Sequence, residues 1–247
     1  MESTIIIEDL FDQLRLAGMA QHWQGMLQTR SLHQISVPEA LQVLLESELL
    51  HRQQRKVVRL NKAAQFRYAA TMAEITYLQH RGLDKNTLSV LAGGAYINDG
   101  NAVLITGPTG SGKSYVASAL GNHACTQGHK VSYHNMQKLL QRFTLARADG
   151  SILSLLDKIS RHHVLILDDF GLKPLDKQQR LDLLDIIEDR HQRCATIMVS
   201  QLPVESWYDV IGESTVADAI LDRLIHTAYR IELKGESMRK NSNIVRL

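Results

Sequence analysis

Ala102-Val-Leu-Ile-Thr-Gly-Pro-Thr-Gly-Ser-Gly-Lys-Ser114 decides how the chain folds. It opens with a short apolar, β-rich run. Gly107-Pro-Thr-Gly-Ser-Gly-Lys-Ser114 then fits the phosphate-binding loop pattern at every fixed position, and Ser114 to Thr126 reads as the helix that such a loop must open. Glycines let backbone amides curl around phosphate oxygens, and a helix N-terminus adds a favourable dipole. The loop residues Gly107, Pro108, Thr109, Gly110, Ser111, Gly112, Lys113 and Ser114, with Tyr115 next on the helix, are therefore candidate nucleotide-binding residues. Lys113 is expected to reach the β- and γ-phosphates of ATP, and the Ser114 hydroxyl to bind Mg2+.

Downstream, Val131-Ser-Tyr133, Val164-Leu-Ile-Leu167, Thr196-Ile-Met-Val199 and Ala228-Tyr-Arg-Ile231 repeat the short apolar run, separated by longer helical stretches. Strands alternating with helices predict an α/β fold with a parallel sheet. The third run ends in Asp168-Asp169. Asp168 is placed to hold the metal indirectly, through the groups bound to it, and Asp169 to orient or polarise an attacking water, which are duties of hydrolysis rather than of binding alone. After Val199 come Ser200 and Gln201, which suit a polar sensor of the γ-phosphate or equally an N-cap for the helix beyond Pro203. Arg223, late in an apolar-rich helix, has two readings, a surface ion pair or an arginine finger entering a neighbouring subunit's site. Arg239 is a weaker second candidate sensor.

The first hundred residues read as helix. Leu10, Leu14, Met19, Trp23 and Met26 suggest two short helices broken near Gly18, and Ser36-Val-Pro-Glu39 reads as the capped start of a long one with an apolar stripe at Leu41, Leu44, Leu45 and Leu49. Its second half carries Arg52, Arg55, Lys56, Arg59, Lys62 and Arg67 without an acid among them. If the helix runs that far, these cations share roughly 140° of arc. Such a face suits DNA phosphates, or is simply a solvated surface. Phe66 and Tyr68 nearby suit either DNA or a core. Turn signals at Gly93-Gly94 and Asn98-Asp-Gly-Asn101 place a domain boundary between about residues 85 and 100.

Composition narrows the setting. The 247 residues are 44% hydrophobic and 22% charged, with a formal charge of +2, as expected of a folded globular chain of one large or two modest domains. Two cysteines, Cys125 and Cys194, make no disulfide framework, which points to a reducing, cytoplasmic setting. No signal peptide and no membrane span is read. His123, Cys125 and His129 lack zinc spacing.

Loop, acidic strand end, polar sensor and late arginine, in this order, resemble the AAA+ ATPases, in the initiator-like clade that holds bacterial helicase loaders. Leu10-Phe-Asp-Gln-Leu-Arg-Leu-Ala-Gly-Met-Ala-Gln-His-Trp23, Glu46-Ser-Glu-Leu-Leu-His-Arg52 and Arg59-Leu-Asn-Lys-Ala-Ala64 are similar to the IstB-like ATP-binding proteins of insertion sequences. The resemblance spans nearly the whole chain, with residues 68 to 97 the loosest part. It implies an AAA+ parallel sheet sandwiched by helices over 86–247, preceded by a small all-helical domain over 1–85 that meets DNA and partners. It further implies an ATPase that forms a homo-oligomeric ring or spiral on double-stranded DNA, remodels it and recruits a cognate transposase, with Arg223 as the finger and Ser200 or Gln201 as the sensor. Many AAA+ members carry Glu where Asp169 stands, so the shorter acid implies slow turnover. Two alternatives remain open: a helicase loader, which would prefer single strands, and a small-molecule kinase, for which no lid segment is evident.

Overall fold

A computed structural model describes residues 2–31, 34–75 and 81–235. The chain forms two compact units, Met1–Arg59 and Leu60–Leu247, so residues 60–75 and 81–85 belong with the second unit.

In the first unit, α1 (Glu2–Gln13) and α2 (Ala17–Thr29) precede α3 (Val37–Ala64), which continues past Arg59. Phe11, Met19, Met26 and Leu44 form its core, with the Phe11 and Trp23 rings edge to face at 6.3 Å. Ser36 and Glu39 cap α3 reciprocally: the Ser36 amide donates to Glu39 Oε2 at 2.8 Å, and the Glu39 amide donates to Ser36 Oγ at 3.4 Å. Two expectations change. The break between α1 and α2 falls before Gly18, at Arg15, whose φ is 55°. Gly18 lies inside α2, and glycine is needed there because a Cβ would meet the Ser47 carbonyl oxygen of α3 at 2.6 Å. Of the apolar stripe on α3, Leu44 is buried, whereas Leu41, Leu45 and Leu49 are exposed. Buried Glu48 ties the helices: its Oε2 accepts from the Gly18 and Met19 amides at 2.8 and 3.2 Å, and its Oε1 from Arg52 Nε at 2.6 Å. Those donors hold its carboxyl below the usual range against the opposing effect of burial.

In the second unit, α4 (Lys85–Ala92) and α5 (Ala95–Asn98) lead into β1 (Ala102–Thr106) and α6 (Lys113–Thr126). Then follow β2 (Val131–Asn135), α7 (Met136–Ala148), α8 (Ile152–Ser160), β3 (Val164–Phe170), α9 (Lys177–Arg190), β4 (Ala195–Ser200), α10 (Trp207–Ile211), α11 (Ser214–Ile225) and β5 (Tyr229–Glu232). The strands form one sheet in the order β2-β3-β4-β1-β5, and every pairing is parallel. Strand geometry sends alternate side chains to opposite faces. Val103, Ile105, Ile166, Ile197 and Val199 accordingly pack with α4, α5 and α6 on one side. Leu104, Leu165, Leu167 and Met198 pack with α7 to α11 on the other. Coverage of both faces explains why these strands read as unbroken apolar runs. Among the described residues no helix is long and apolar enough to cross a membrane.

Arg190, at the end of α9, is buried yet pairs with no carboxylate among the described residues. It donates to the carbonyls of Ile159, His162 and Ala195 and to Thr196 Oγ1, at 2.6 to 3.2 Å. Burial lowers its pKa to about 10. The guanidinium thus joins the ends of α8 and α9 to the start of β4. Arg190→Ala would orphan these acceptors and is expected to cost about 3 kcal/mol, measured by urea unfolding followed by circular dichroism.

Candidate functional site

In a parallel sheet the loops after the strands collect at one edge, and there the site residues meet. Gly107, Gly110 and Gly112 adopt φ of 142°, 81° and 96°, a region open to glycine. A Cβ on Gly107 would lie 2.2 Å from the Leu233 carbonyl oxygen. The loop closes with the Ser111 amide on the Pro108 carbonyl at 3.2 Å, and Lys113 Nζ donates to the same oxygen at 2.8 Å. Lys113 is buried. Burial pulls its pKa down while Asp168 and Asp169 oppose that shift. Arg81 Nη2 holds the loop from outside by donating to the Ser111 carbonyl at 3.1 Å.

Asp168 and Asp169 sit where the ladder between β3 and β4 slips register, between Leu167 and Phe170. Asp169 has φ of 62°, which turns it out of the strand and leaves it more exposed than Asp168. The Asp169 amide donates to Asp168 Oδ1 at 2.9 Å, and the Tyr133 hydroxyl donates to Asp168 Oδ2. Asn135 Nδ2 donates to Asp169 Oδ2 at 2.8 Å. The register pairing Asn135 with Asp168 makes this reach possible. Tyr133 and Asn135 were missed by the sequence reading. The polar end of the β2 run was their only signal, and it acquires meaning once β2 is known to neighbour β3.

The remaining candidates separate. Ser200 is buried. Its hydroxyl donates to the Phe170 carbonyl at 2.8 Å and accepts from the Leu202 amide at 3.1 Å, which makes it a strut between β3 and β4. Gln201 is exposed, and its Oε1 accepts from Thr109 Oγ1 of the loop at 2.6 Å. The helical turn after Pro203 has no side-chain cap, so the capping alternative finds no support in either residue. Tyr115 donates to Glu74 Oε2 at 3.1 Å and lies 6.1 Å from the Tyr68 ring. Arg223 lies beside the strand starts, in a crevice shared with Gly100, Ala102 and Thr196, away from the loop of its own chain. There it donates to the Ala219 carbonyl at 2.8 Å and to Glu188 Oε1 at 3.1 Å. Arg239 lies outside the described residues.

The basic face is shorter than expected. Helix α3 stops at Ala64 because Gln65 turns left-handed, with φ of 56°. Arg67 therefore leaves that face and reaches Asp168 and Asp169 instead. Phe66 and Tyr68 pack against the core of the second unit. Arg52, Arg55, Lys56, Arg59 and Lys62 remain on α3 and are exposed.

The edge suits a nucleotide and its metal. Ser111 Oγ is buried without a hydrogen-bond partner, the positive φ of Gly107, Gly110 and Gly112 curls the loop that carries it, and Ser114 and Asp168 offer the oxygen donors that Mg2+ prefers.

Comparison with known proteins agrees. The family model described as IstB-like ATP binding protein matches residues 10–245. The chain is 42% identical over 233 residues to an insertion sequence ATP-binding protein, y4pL, of Sinorhizobium fredii, covering 94% of this chain and 95% of that one. It is 28% identical over 233 residues to the insertion sequence IS21 ATP-binding protein of Pseudomonas aeruginosa, covering 94% and 88%. Among solved structures, the DnaC helicase loader superposes with a TM-score of 0.52 at 21% identity, over 60% of this chain and 87% of that one. AMPPCP-bound DnaA from Aquifex aeolicus gives 0.58 at 17% identity, over 71% and 53%. These structures share the fold. With a family match that spans the loop, the acidic strand end and most of both units, the chain belongs to the IstB-like ATP-binding proteins and is an AAA+ ATPase.

Proposed function

We propose that this ATPase assembles as a homo-oligomer on duplex DNA, deforms it and engages a cognate transposase, in a reducing cytoplasmic setting. The observation that carries the DNA reading is the surface of α3. Arg55, Lys56 and Arg59 are exposed there, within about 100° of helical arc, and none forms an ion pair within the described residues. Arg52 stands beside them but is engaged by Glu48. Unpartnered cations at helical spacing match phosphate backbones and carry little base preference. The insertion-sequence proteins that the chain resembles support the transposase as partner. The 1–85 segment is the proposed partner- and DNA-binding part and 86–247 the ATPase part.

In this reading Lys113 turns from the Pro108 carbonyl to the β- and γ-phosphates, and the loop amides hold the remaining oxygens. Ser114 and Asp168 would hold Mg2+. When bound, the metal neutralises charge on the transferred phosphoryl group. Asp169 orients the attacking water and accepts its proton, with Asn135 fixing the carboxylate. Gln201, bonded to Thr109, is the residue through which the end of β4 feels the loop. Ser200 keeps β3 and β4 in register. Arg223 faces away from its own loop, as a finger offered to a neighbouring subunit requires, and its bond to Glu188 would break on assembly.

Light scattering after size exclusion tests the assembly. A random-sequence duplex of several turns with a non-hydrolysable ATP analogue is expected to give a large protein–DNA complex that is absent without nucleotide. A monomer that ignores duplex and prefers single strands would mark a helicase loader instead. Lys113→Ala is expected to abolish ATP binding in fluorescent-nucleotide titrations. Asp169→Asn is expected to bind normally while phosphate release falls about 100-fold. Arg223→Ala should bind ATP but lose hydrolysis on DNA, and normal turnover would remove the finger role. Reversal of Arg55, Lys56 and Arg59 to glutamate is expected to weaken duplex binding at every sequence and to reduce the slope of log K against log salt by about three.

A further inference from the structure

Helix α3 delivers an arginine to the acidic strand end. Beyond Ala64 the backbone is fastened: Gln65 is left-handed, Ala70 is buried, and Phe66 and Tyr68 pack on the core. The Arg67 side chain reaches the acids from this fastened stretch, and 41% of it stays exposed. One of its nitrogens, Nη1, lies 3.2 Å from Asp168 Oδ2 and 3.1 Å from Asp169 Oδ2 and so bridges the two acids. The Tyr68 ring flanks the guanidinium, 5.8 Å from its central carbon.

The charge balance gives this contact its meaning. Tyr133, Asn135 and the Asp169 amide, which also donate to these carboxylates, are neutral. Lys113, the cation of the loop, is turned onto the Pro108 carbonyl. Among the described residues, Arg67 is the one cation hydrogen-bonded to both acids. Two adjacent carboxylates repel and require a counter-charge. A contact through one nitrogen is weaker than a two-pronged fork, and a partly exposed side chain can leave it without disturbing the core.

We propose that Arg67 is a stand-in cation, which offsets part of the charge of Asp168 and Asp169 in the nucleotide-free state and is displaced by the divalent cation that accompanies the nucleotide. The inference rests on Asp168 being the metal-holding acid. Arg67 is then a positioning residue. It keeps both carboxylates bonded and correctly placed before loading, and it sets the metal concentration at which loading occurs. Competition of this kind makes the protein respond to metal and nucleotide together rather than to either alone.

The test is equilibrium binding of a fluorescent, non-hydrolysable ATP analogue to the full chain, titrated with Mg2+ at constant ionic strength. Arg67→Ala is expected to lower the half-saturating Mg2+ concentration about three- to ten-fold, with Arg67→Lys close to the parent because it keeps the charge. An unchanged or raised half-saturation point in Arg67→Ala overturns the proposal. Arg67→Gln, which retains a neutral donor, gives the same readout if the alanine variant loses its circular dichroism signal. Asp168→Asn separates the two possible failures. If it keeps the parent's Mg2+ dependence, Asp168 is not the metal-holding acid and the stand-in role falls with that reading. If it loses the dependence while Arg67→Ala behaves as the parent, only the role of Arg67 is wrong.

Discussion

Parallel pairing is the constraint on which the rest of this structure depends. Because β1 to β5 all run the same way, the turn after each strand emerges at one edge of the sheet. The strand order then fixes neighbours. Insertion of β4 between β1 and β3 brings Gln201 to the loop, while β2 against β3 brings Asn135 and Tyr133 to the acids. Residues as far apart in the chain as Arg67 and Asp169 share one site for the same reason. The helices on both faces keep that edge rigid by burying the strands.

Charge at that edge is arranged in opposing pairs rather than spread. Lys113 is buried, with its pKa pulled down, next to two carboxylates that favour its charged form. The same two carboxylates hold Arg67 firmly protonated in spite of its partial burial. A buried lysine and a bridging arginine together offset two acids, so the edge is close to neutral without ligand. Phosphate and metal would bring charges of both signs to the same edge. The left-handed Asp169 at the slipped register adds to this, since it frees one carboxylate from the strand to face reactants.

A buried carboxylate organises the first unit as well, to a different end. Glu48 reaches from α3 to the unsatisfied amides at the start of α2, and Gly18 is required because the helices approach so closely there. Arg52 is drawn to that acid, which sets it apart from Arg55, Lys56 and Arg59. The exposed Leu41, Leu45 and Leu49 belong to the same helix. A stripe at helical period therefore reports helix formation without reporting which of its residues will be covered.

The sequence by itself determined the elements and the chemistry of the loop. Apolar runs of β-branched residues, the spacing of Gly107 to Ser114 and the Ser36 to Glu39 cap are local signals, and each rests on interactions between residues a few positions apart. The pair Asp168-Asp169 and the sensor candidates were legible for that reason, because they lie at the ends of such runs. Tertiary structure alone decided the end of α3 at Gln65, the diversion of Arg67 to the acids, the contacts of Asn135 and Tyr133 with them, and the bond that seats Ser200 between β3 and β4. The physical reason is common to all of these. They depend on which strand lies beside which and on a single left-handed residue, and neither strand adjacency nor one backbone dihedral leaves a periodic trace in the chain.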